Sequence, residues 1–452
     1  MTEITKTLSS YVANLRYDDM PAEVPERAKH LMIDLVGSIV RAGRESDSTP
    51  SIMRMIERLG LGAPGEDRVF GTDRRYGPAT AALLNGVLGH SLDFDDTHAD
   101  SSLHPSAPVV PAALAAAEMT GASGQELLTA IVAGFEVCCR LGNALDPTSH
   151  YARGFHPTAT AGTFGAAAAA GKLLGLDGAG IASAFGVAAS QAAGSLQFLV
   201  NGGWNKRYQV GAAAMNGLIA ATLASEGFVG AAEAIEGKHG FLHGYTDNAR
   251  PDMAVAGLGS IFETMKIGMK PYPSCRYTHA AIDGLIALRR EHGWTVDDIV
   301  DVTIGLHRNG IVLTGAPLAE KQRPRTVVDG QFSMPFTAAV ALHQGHFGWD
   351  DYALLGDAGV EAIAARVDVR QDDRLEGLRH PFGAHIEVRT VDGVHPLMIP
   401  DPSGEPDSFP PLDQMEEKFM TLARPVLGNQ ASALYARLAA IESLADVRGL
   451  PD

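Results

Sequence analysis

Cysteine, aromatic residues and positive charge are all scarce in this chain of 452 residues. Its three cysteines include an adjacent pair, Cys138 and Cys139, so they form neither a disulfide framework nor a spaced zinc-binding motif. Aromatic residues make up 6% of the sequence, and the 36 lysines and arginines are outnumbered by 53 aspartates and glutamates. The formal net charge of -17 disfavours nucleic acid as a partner, since we find no local basic stripe that would attract it.

Long hydrophobic runs are also missing. No uninterrupted apolar stretch reaches the roughly 18 residues of a membrane span, and Lys172 and Asp177 interrupt the most apolar region. The first residues lack the basic and apolar regions of a secretory signal. We therefore expect a cytoplasmic protein in a reducing compartment, with no membrane partner.

The residues that are present predict two kinds of structure. Apolar residues recur at helical spacing through most of residues 28–226, and residues 158–193 are almost entirely small. After about residue 265 the pattern changes to the β-branched alternations of residues 300–306 and 384–390, separated by further helical segments. The tail, residues 412–444, is helical again. We predict a mainly α protein with an α+β insert, in which an all-helical domain (1–266 and 399–452) carries a smaller α/β lid domain (267–398).

One segment concentrates ionisable side chains. Residues 89–106 contain four aspartates, three histidines and several hydroxyl groups, although their surroundings are apolar and rich in alanine. Charged and polar groups are costly to place in such surroundings unless they are used. The segment is therefore the first candidate for an active site.

Five strings in this order resemble the MmgE/PrpD family. They are His90–His98 with Leu103–Ser106, Gly154–Thr158, Lys206 with Gly211–Ala213, Lys270–Cys275 with His279, and Gly330–Phe336. The likeness spans roughly residues 5–445. The resemblance implies a helical domain built from both chain ends, an inserted lid domain, a homodimer, and a site between the domains that uses no cofactor and no metal. It also implies a small anionic carboxylate as the substrate.

The resemblance also implies a set of site residues. The proposed catalytic residues are Asp93, His104, His156 and His279, and the proposed substrate-binding residues are Thr97, Lys206, His98 and Arg276. His98 and Arg276 are additions of this chain to the pattern. The interval between Thr97 and His104 is one residue longer than in animal cis-aconitate decarboxylases, which weakens a transfer of decarboxylase specificity.

The chemistry of these residues agrees with the family without choosing one member. Its reactions move a proton at the carbon next to a carboxylate, which needs a base near neutral pKa and cations that stabilise an enolate-like charge. We expect a metal-independent lyase, similar first to 2-methylcitrate dehydratase. A cis-aconitate decarboxylase and an iminodisuccinate epimerase are the alternatives.

Other interpretations remain open at this stage. Asp95 and Asp96 could cap or solvate a helix end, and His104 and His156 each precede a proline, as in an ordinary helix-entry turn. Distant functional alternatives are a magnesium-dependent helical diphosphate enzyme, which would use the aspartates as ligands, and a scaffold with no activity. An iron–sulfur lyase is disfavoured by the adjacent cysteines.

Overall fold

The structure, a computed structural model, describes residues 3–377 and 381–450. It is 60% helical and 9% strand, which confirms the prediction of a mainly α protein with a small α/β portion. The α-helices are α1 (Ile4–Asn14), α2 (Glu23–Glu45), α3 (Thr49–Arg58), α4 (Pro78–Gly89), α5 (Ser106–Thr120), α6 (Gly124–Ala144), α7 (Pro147–Ala152), α8 (Pro157–Leu173), α9 (Gly178–Gln191), α10 (Phe198–Asn201), α11 (Asn205–Ser225), α12 (Phe241–Tyr245), α13 (His279–His292), α14 (Arg308–Gly310), α15 (Leu318–Lys321), α16 (Val327–Gln331), α17 (Met334–Gln344), α18 (Ala358–Ala364), α19 (Leu412–Leu427) and α20 (Gln430–Ala439).

Strands are short and few by comparison. They are β1 (Pro64–Arg68), β2 (Arg75–Tyr76), β3 (Thr97–His98), β4 (Ile267–Gly268), β5 (Ile299–Leu306), β6 (Val367–Gln371), β7 (Ala384–Thr390) and β8 (Gly393–Ile399). The strands β1 and β2 pair with each other, as do β3 and β4, and the other four form one sheet in the order β6-β5-β7-β8. The predicted strands at 300–306 and 384–390 are thus β5 and β7, and the turn after Thr390 leads into β8 as an antiparallel hairpin.

The chain divides into two compact units, residues 1–269 with 411–452 and residues 270–410. The sequence prediction returned the chain to the helical domain at residue 399, whereas the first unit resumes at 411. Residues 400–410 stay with the second unit because their side chains are tied to it. Ser403 donates hydrogen bonds to the Asp283 carboxylate through its backbone N–H (2.7 Å) and its hydroxyl (2.8 Å).

In the first unit, α8 is the central helix, packed against α5, α6, α9 and α11. Small residues make this close packing possible. A Cβ atom on Gly165 of α8 would lie 2.7 Å from the Cβ of Cys138 on α6. Cys138 and Cys139 are both buried, and burial raises the pKa of each thiol far above its usual value, so both are packing residues.

The C-terminal helices complete the core of the first unit. Helix α19 packs along α2, where Phe419 approaches Gly37 so closely that a Cβ there would lie 3.2 Å from the ring. Helix α20 packs on α19. The prediction that the tail is helical is therefore confirmed, and its apolar face supplies part of the core formed by the N-terminal helices.

The second unit is the small α/β part. Its sheet combines a parallel pair, β5 with β6, and two antiparallel pairs, β5 with β7 and β7 with β8. Helix α13 packs on β7 and β8, where a Cβ on Gly284 would lie 2.3 Å from Ile386. Residues His279 and Arg276 lie at the beginning of this helix and in the 3₁₀ turn before it.

Among the described residues, α6 is the helix whose length and apolar composition would suit a membrane span. All of its apolar stretch is buried among other helices of the protein. This is the environment of a core helix in a folded domain.

The helices α4 and α11 meet at two glycines, and both helices lead to candidate site residues. A Cβ on Gly86 would lie 2.7 Å from the Cα of Gly211, and a Cβ on Gly211 would lie 2.5 Å from the carbonyl oxygen of Leu83. The backbones are therefore in direct contact. Helix α4 ends one residue before His90, and Lys206 lies in the first turn of α11.

We predict that Gly211→Ala lowers the stability of the protein by about 1–3 kcal/mol, because the added methyl group must push α4 and α11 apart. The measurement is denaturant unfolding followed by circular dichroism. Gly244→Ala is the matched control, since its exposed Cβ would contact nothing within 4 Å and should leave stability unchanged or slightly higher. Equal stability of the two variants would contradict the close packing.

Candidate active site

The loop that follows α4 carries the acidic segment, and its residues 90–96 are buried. Asp93 is 5% exposed and has a backbone φ of 55°, a left-handed conformation that residues other than glycine adopt at a cost. Its carboxylate forms an ion pair with the ammonium group of Lys206 from α11. Two of the predicted site residues are thus brought together, and Asp93 is paired with a lysine.

Asp95 lies between two imidazoles. Its Oδ2 is 2.7 Å from Nδ1 of His90 and 3.6 Å from Nδ1 of His104. The two rings meet edge to face, with their centres 4.9 Å apart. Asp95 and His90 are almost completely buried, whereas the His104 side chain keeps 16% of its surface exposed. The carboxylate therefore stabilises positive charge on either ring.

The hydrogen bonds of His104 determine which nitrogen can accept a proton. Its Nδ1 is 2.7 Å from the backbone carbonyl oxygen of Asp96, and a carbonyl can only accept a hydrogen bond. Nδ1 therefore carries the proton of the neutral ring, and Nε2 has the basic lone pair. The backbone N–H of His104 donates to the Thr158 hydroxyl (3.1 Å), which ties this segment to α8.

His156, the third predicted histidine, precedes α8 and stacks on His90 with ring centres 5.9 Å apart. It is 3% exposed. Burial lowers the pKa of His156 well below its ordinary value, and the nearby His90 and Lys206 lower it further. The ring is therefore neutral near pH 7. The structure thus gathers Asp93, His104, His156 and Lys206 into one unit.

The buried Asp96 side chain connects the loop to α5. Burial raises the pKa of this carboxyl well above its ordinary value, although hydrogen bonds from the hydroxyl and the backbone N–H of Ser106 oppose the shift. These bonds connect the loop to the first turn of α5. Asp96 also supplies the carbonyl oxygen that binds His104.

Thr97 and His98 form the short strand β3, which pairs with β4. Thr97 is partly buried. The His98 ring is fully buried and occupied on both sides, by Ser101 at Nδ1 (2.6 Å) and by Glu263 at Nε2 (3.0 Å). Burial alone would raise the pKa of Glu263, but the hydrogen bond and charge of His98, with Lys266, lower it to about 2. A substrate would have to displace one of these partners to reach the His98 ring.

His279 and Arg276 belong to the second unit. The His279 ring is buried, and its Nε2 donates to the backbone carbonyl oxygen of Ser274 (3.1 Å), so Nδ1 has the basic lone pair of the neutral ring. Arg276 forms a two-point ion pair with Glu405 (Nε to Oε1, 2.6 Å) and stacks over Phe382 at 4.1 Å. Its charge is therefore already compensated within the unit.

A metal ion has one possible set of ligands among the described residues. His90, Asp95 and His104 each offer a ligand atom, and these atoms lie within 4.8 Å of one another. Two of them are joined by the short hydrogen bond between His90 and Asp95, and Nδ1 of His104 is bonded to a carbonyl. A cation bound through Nδ1 of either ring would have to displace the proton of an existing hydrogen bond. The geometry fits a hydrogen-bonded cluster better than a metal centre.

Several residues of this cluster were not predicted from the sequence. The sequence pattern marks His90 only as part of a motif, and it is compatible with Asp95 as a helix-end residue. In α2, Asp34 forms an ion pair with Lys418 of α19 (2.6 Å), whose Nζ also donates to the Phe94 carbonyl oxygen (3.0 Å). Nothing in the local sequence pairs residues so far apart along the chain.

Comparisons with known proteins identify the family of this chain. The model of the MmgE/PrpD N-terminal domain matches residues 6–254, and that of the C-terminal domain matches residues 272–440. The chain is 31% identical to the cis-aconitate decarboxylase-like protein oryM of Aspergillus oryzae, over 99% of this chain and 96% of the relative. It is 31% identical to a cis-aconitate decarboxylase of Aspergillus terreus (75% and 71% of the two chains) and 29% identical to that of Homo sapiens (64% and 60%). The chain therefore belongs to the MmgE/PrpD family.

Proposed function

We propose that this protein is a lyase that acts on a small unsaturated tricarboxylate, with decarboxylation of cis-aconitate or a close analogue as its reaction. The observation that carries the proposal is the His104 ring, partly exposed and held beside the buried Asp95 carboxylate with its proton fixed on Nδ1. Such a ring can take up and release a proton at Nε2. The names of the relatives supply the substrate class.

The chemistry sets the requirements for the site. In this decarboxylation the carbon–carbon bond to one carboxylate breaks, and its electron pair forms a new double bond as carbon dioxide leaves. The electron pair of the original double bond then forms a bond to a proton, at the double-bond carbon that is farther from the departing carboxylate. The reaction therefore needs one proton donor, and it needs positive or hydrogen-bonding groups around the remaining carboxylates.

We assign the proton transfer to His104. When its ring holds two protons, Nδ1 still donates to the Asp96 carbonyl oxygen, and the charge is stabilised by Asp95 at 3.6 Å. Nε2 then delivers the second proton to carbon. The same group acting in the other direction would remove a proton, as dehydration and epimerisation require, so the assignment holds for every reaction of this family.

We assign carboxylate binding to Lys206 with Thr97. The ion pair with Asp93 holds the Lys206 ammonium in place and offsets the cost of burying it. A substrate carboxylate can share that ammonium group. Asp93, predicted to be catalytic, would then act by positioning Lys206, and proton exchange within this pair is the alternative role.

The names of the relatives change the order of the candidate reactions. From the sequence alone, dehydration of a 2-methylcitrate-like acid is the first expectation and decarboxylation the second. A relative of nearly equal length that is named for cis-aconitate decarboxylase places decarboxylation first. Roles for His279 in proton transfer and for Arg276 and His98 in substrate binding stay proposals, as do the homodimer and the cytoplasmic location.

We predict that the purified protein converts cis-aconitate with release of carbon dioxide. The measurement is NMR in D₂O with separate samples of cis-aconitate, citrate, 2-methylcitrate and iminodisuccinate, which reports both the product and deuterium incorporation at carbon. A deuteron should appear at the carbon that is protonated. Loss of water from 2-methylcitrate alone would instead support the dehydratase, and no change in any sample would contradict the proposal.

We predict that His104→Gln and Asp95→Asn each reduce turnover by about a hundredfold or more, since the first removes the proton carrier and the second removes the charge that stabilises it. The measurements are steady-state kinetics and thermal melting. Asp100→Asn is the matched control, because this partly exposed carboxylate of the same segment forms an ion pair with Lys266 at 3.9 Å, a kind of pair that contributes little, and should leave turnover within a few-fold. Normal turnover with lower melting temperatures would make the cluster structural.

We predict that activity survives prolonged dialysis against EDTA and does not rise when Mg²⁺, Mn²⁺, Zn²⁺ or Fe²⁺ is added. The physical reason is that the candidate ligands are already hydrogen-bonded to one another and to a carbonyl group. Metal analysis of the dialysed enzyme is the control. Loss of activity that one metal restores would show that the His90, Asp95 and His104 cluster holds a cation.

A further inference from the structure

The side chain of Gln209 makes two hydrogen bonds that together fix the proton of His156. Gln209 lies in α11, one turn after Lys206, and is partly buried. Its Oε1 is 3.1 Å from the backbone nitrogen of Ser195, and its Nε2 is 2.7 Å from Nδ1 of His156. Gln209 and Ser195 are not among the site residues predicted from the sequence, whereas His156 is.

The first of these bonds sets the orientation of the amide. A backbone N–H can only donate, so the atom of Gln209 that faces Ser195 must be the oxygen. The amide nitrogen is then the atom that faces His156, and an amide nitrogen can only donate. Nδ1 of His156 therefore accepts a hydrogen bond and carries no proton, which places the proton of the neutral ring on Nε2.

The backbone around these residues holds the arrangement rigidly. The His156 N–H donates to the Gly194 carbonyl oxygen (3.0 Å), and Phe155 and Ser195 form an antiparallel bridge. A Cβ on Gly194, whose φ is 154°, would lie 2.8 Å from Ala159 and 3.5 Å from both His156 and Gln209. A side chain at position 194 would therefore collide with Ala159 of α8, and glycine lets the backbone that carries the Ser195 N–H lie close to His156 and Gln209.

We propose that Gln209 is a positioning residue that keeps His156 as a neutral donor through Nε2, complementary to His104, whose Nε2 takes up and releases a proton. This inference rests on the proposed function for its catalytic part. His156 then stabilises the enolate-like charge of the reaction by a hydrogen bond and does not give up its proton. A buried neutral imidazole suits that task, since burial lowers the pKa of His156 and keeps a second proton off the ring.

The structure therefore gives the two histidines opposite tautomers by different means. The tautomer of His104 is set by a carbonyl oxygen that accepts a hydrogen bond from Nδ1. The tautomer of His156 is set by an amide N–H that donates a hydrogen bond to Nδ1. The substitution Gln209→Glu would reverse the tautomer of His156. A carboxylate has no proton to donate, so it would draw the proton of His156 to Nδ1 and turn Nε2 into an acceptor.

The decisive test is ¹⁵N NMR of protein labelled at histidine, which distinguishes protonated from unprotonated ring nitrogens, with His156 assigned by its loss in His156→Gln. In the unsubstituted protein we expect the His156 proton on Nε2. In Gln209→Glu we expect it on Nδ1, together with a drop in kcat of about a hundredfold and little change in KM, because the lost hydrogen bond matters most in the transition state.

Two further variants complete the test. Gln209→Leu removes the donor without supplying an acceptor and should lower kcat less than Gln209→Glu. Gln125→Glu, an exposed glutamine of α6 changed in the same way, should alter neither the His156 signals nor kcat. A His156 proton on Nδ1 in the unsubstituted protein would overturn the proposal, and so would unchanged His156 signals in Gln209→Glu.

The test separates this inference from the proposed function. The tautomer of His156 is measured without substrate, so it can be established even if none of the four acids is converted. If an acid is converted and Gln209→Glu has the normal kcat, the positioning role fails while the function stands. If Gln209→Glu does not fold, the tautomer in the unsubstituted protein and the kcat of Gln209→Leu still decide the question.

Discussion

The buried carboxylates of the loop after α4 are the constraint that the rest of the first unit satisfies. A charged group in an apolar interior costs several kcal/mol unless a partner compensates it. Each carboxylate here has a partner, in α11, in α5 or within the loop itself. Asp93 pairs with Lys206 of α11, Asp95 contacts His90 and His104, and Asp96 bonds to Ser106 of α5. The loop can therefore be buried only when several helices are in place around it.

This constraint also explains why both ends of the chain form one unit. Lys418, which follows the second unit in sequence, forms an ion pair with Asp34 of α2 and donates to the carbonyl oxygen of Phe94, whose ring lies 3.8 Å from the ammonium. Burial raises the pKa of Asp34 to about 6 in spite of this lysine. The C-terminal segment thus contributes a charge beneath the site loop as well as the apolar packing of Phe419 against Gly37.

The features of this arrangement that depend on local sequence pattern could be predicted from the sequence. Helical periodicity predicted the helices of the first unit, and the β-branched alternations predicted β5 and β7. Periodicity did not indicate where α11 begins, at Asn205. Residues 205–210 carry Lys206 and Gln209 among polar and aromatic side chains, so their helix is stabilised by contacts that the periodicity does not show.

The site itself was predicted only in its residue types. Asp93, His104, His156 and Lys206 lie together, but their partners come from positions that are distant in sequence, as with Asp93 and Lys206. Such pairing cannot be deduced from local spacing. His98 was a candidate because of its position beside Thr97. In the structure, both nitrogens of its ring already have partners, Ser101 and Glu263.

The two histidines show why chemistry here depends on partners more than on residue types. His104 and His156 both precede a proline and a buried helix, so their local sequences are nearly equivalent. Their Nδ1 atoms nevertheless have opposite roles, because one faces a carbonyl oxygen and the other an amide N–H from Gln209. A residue outside the motifs thus gives His156 the tautomer opposite to that of His104. A helical frame of this kind can serve different proton-transfer reactions when such partners change, while its buried carboxylates and their compensating charges stay in place.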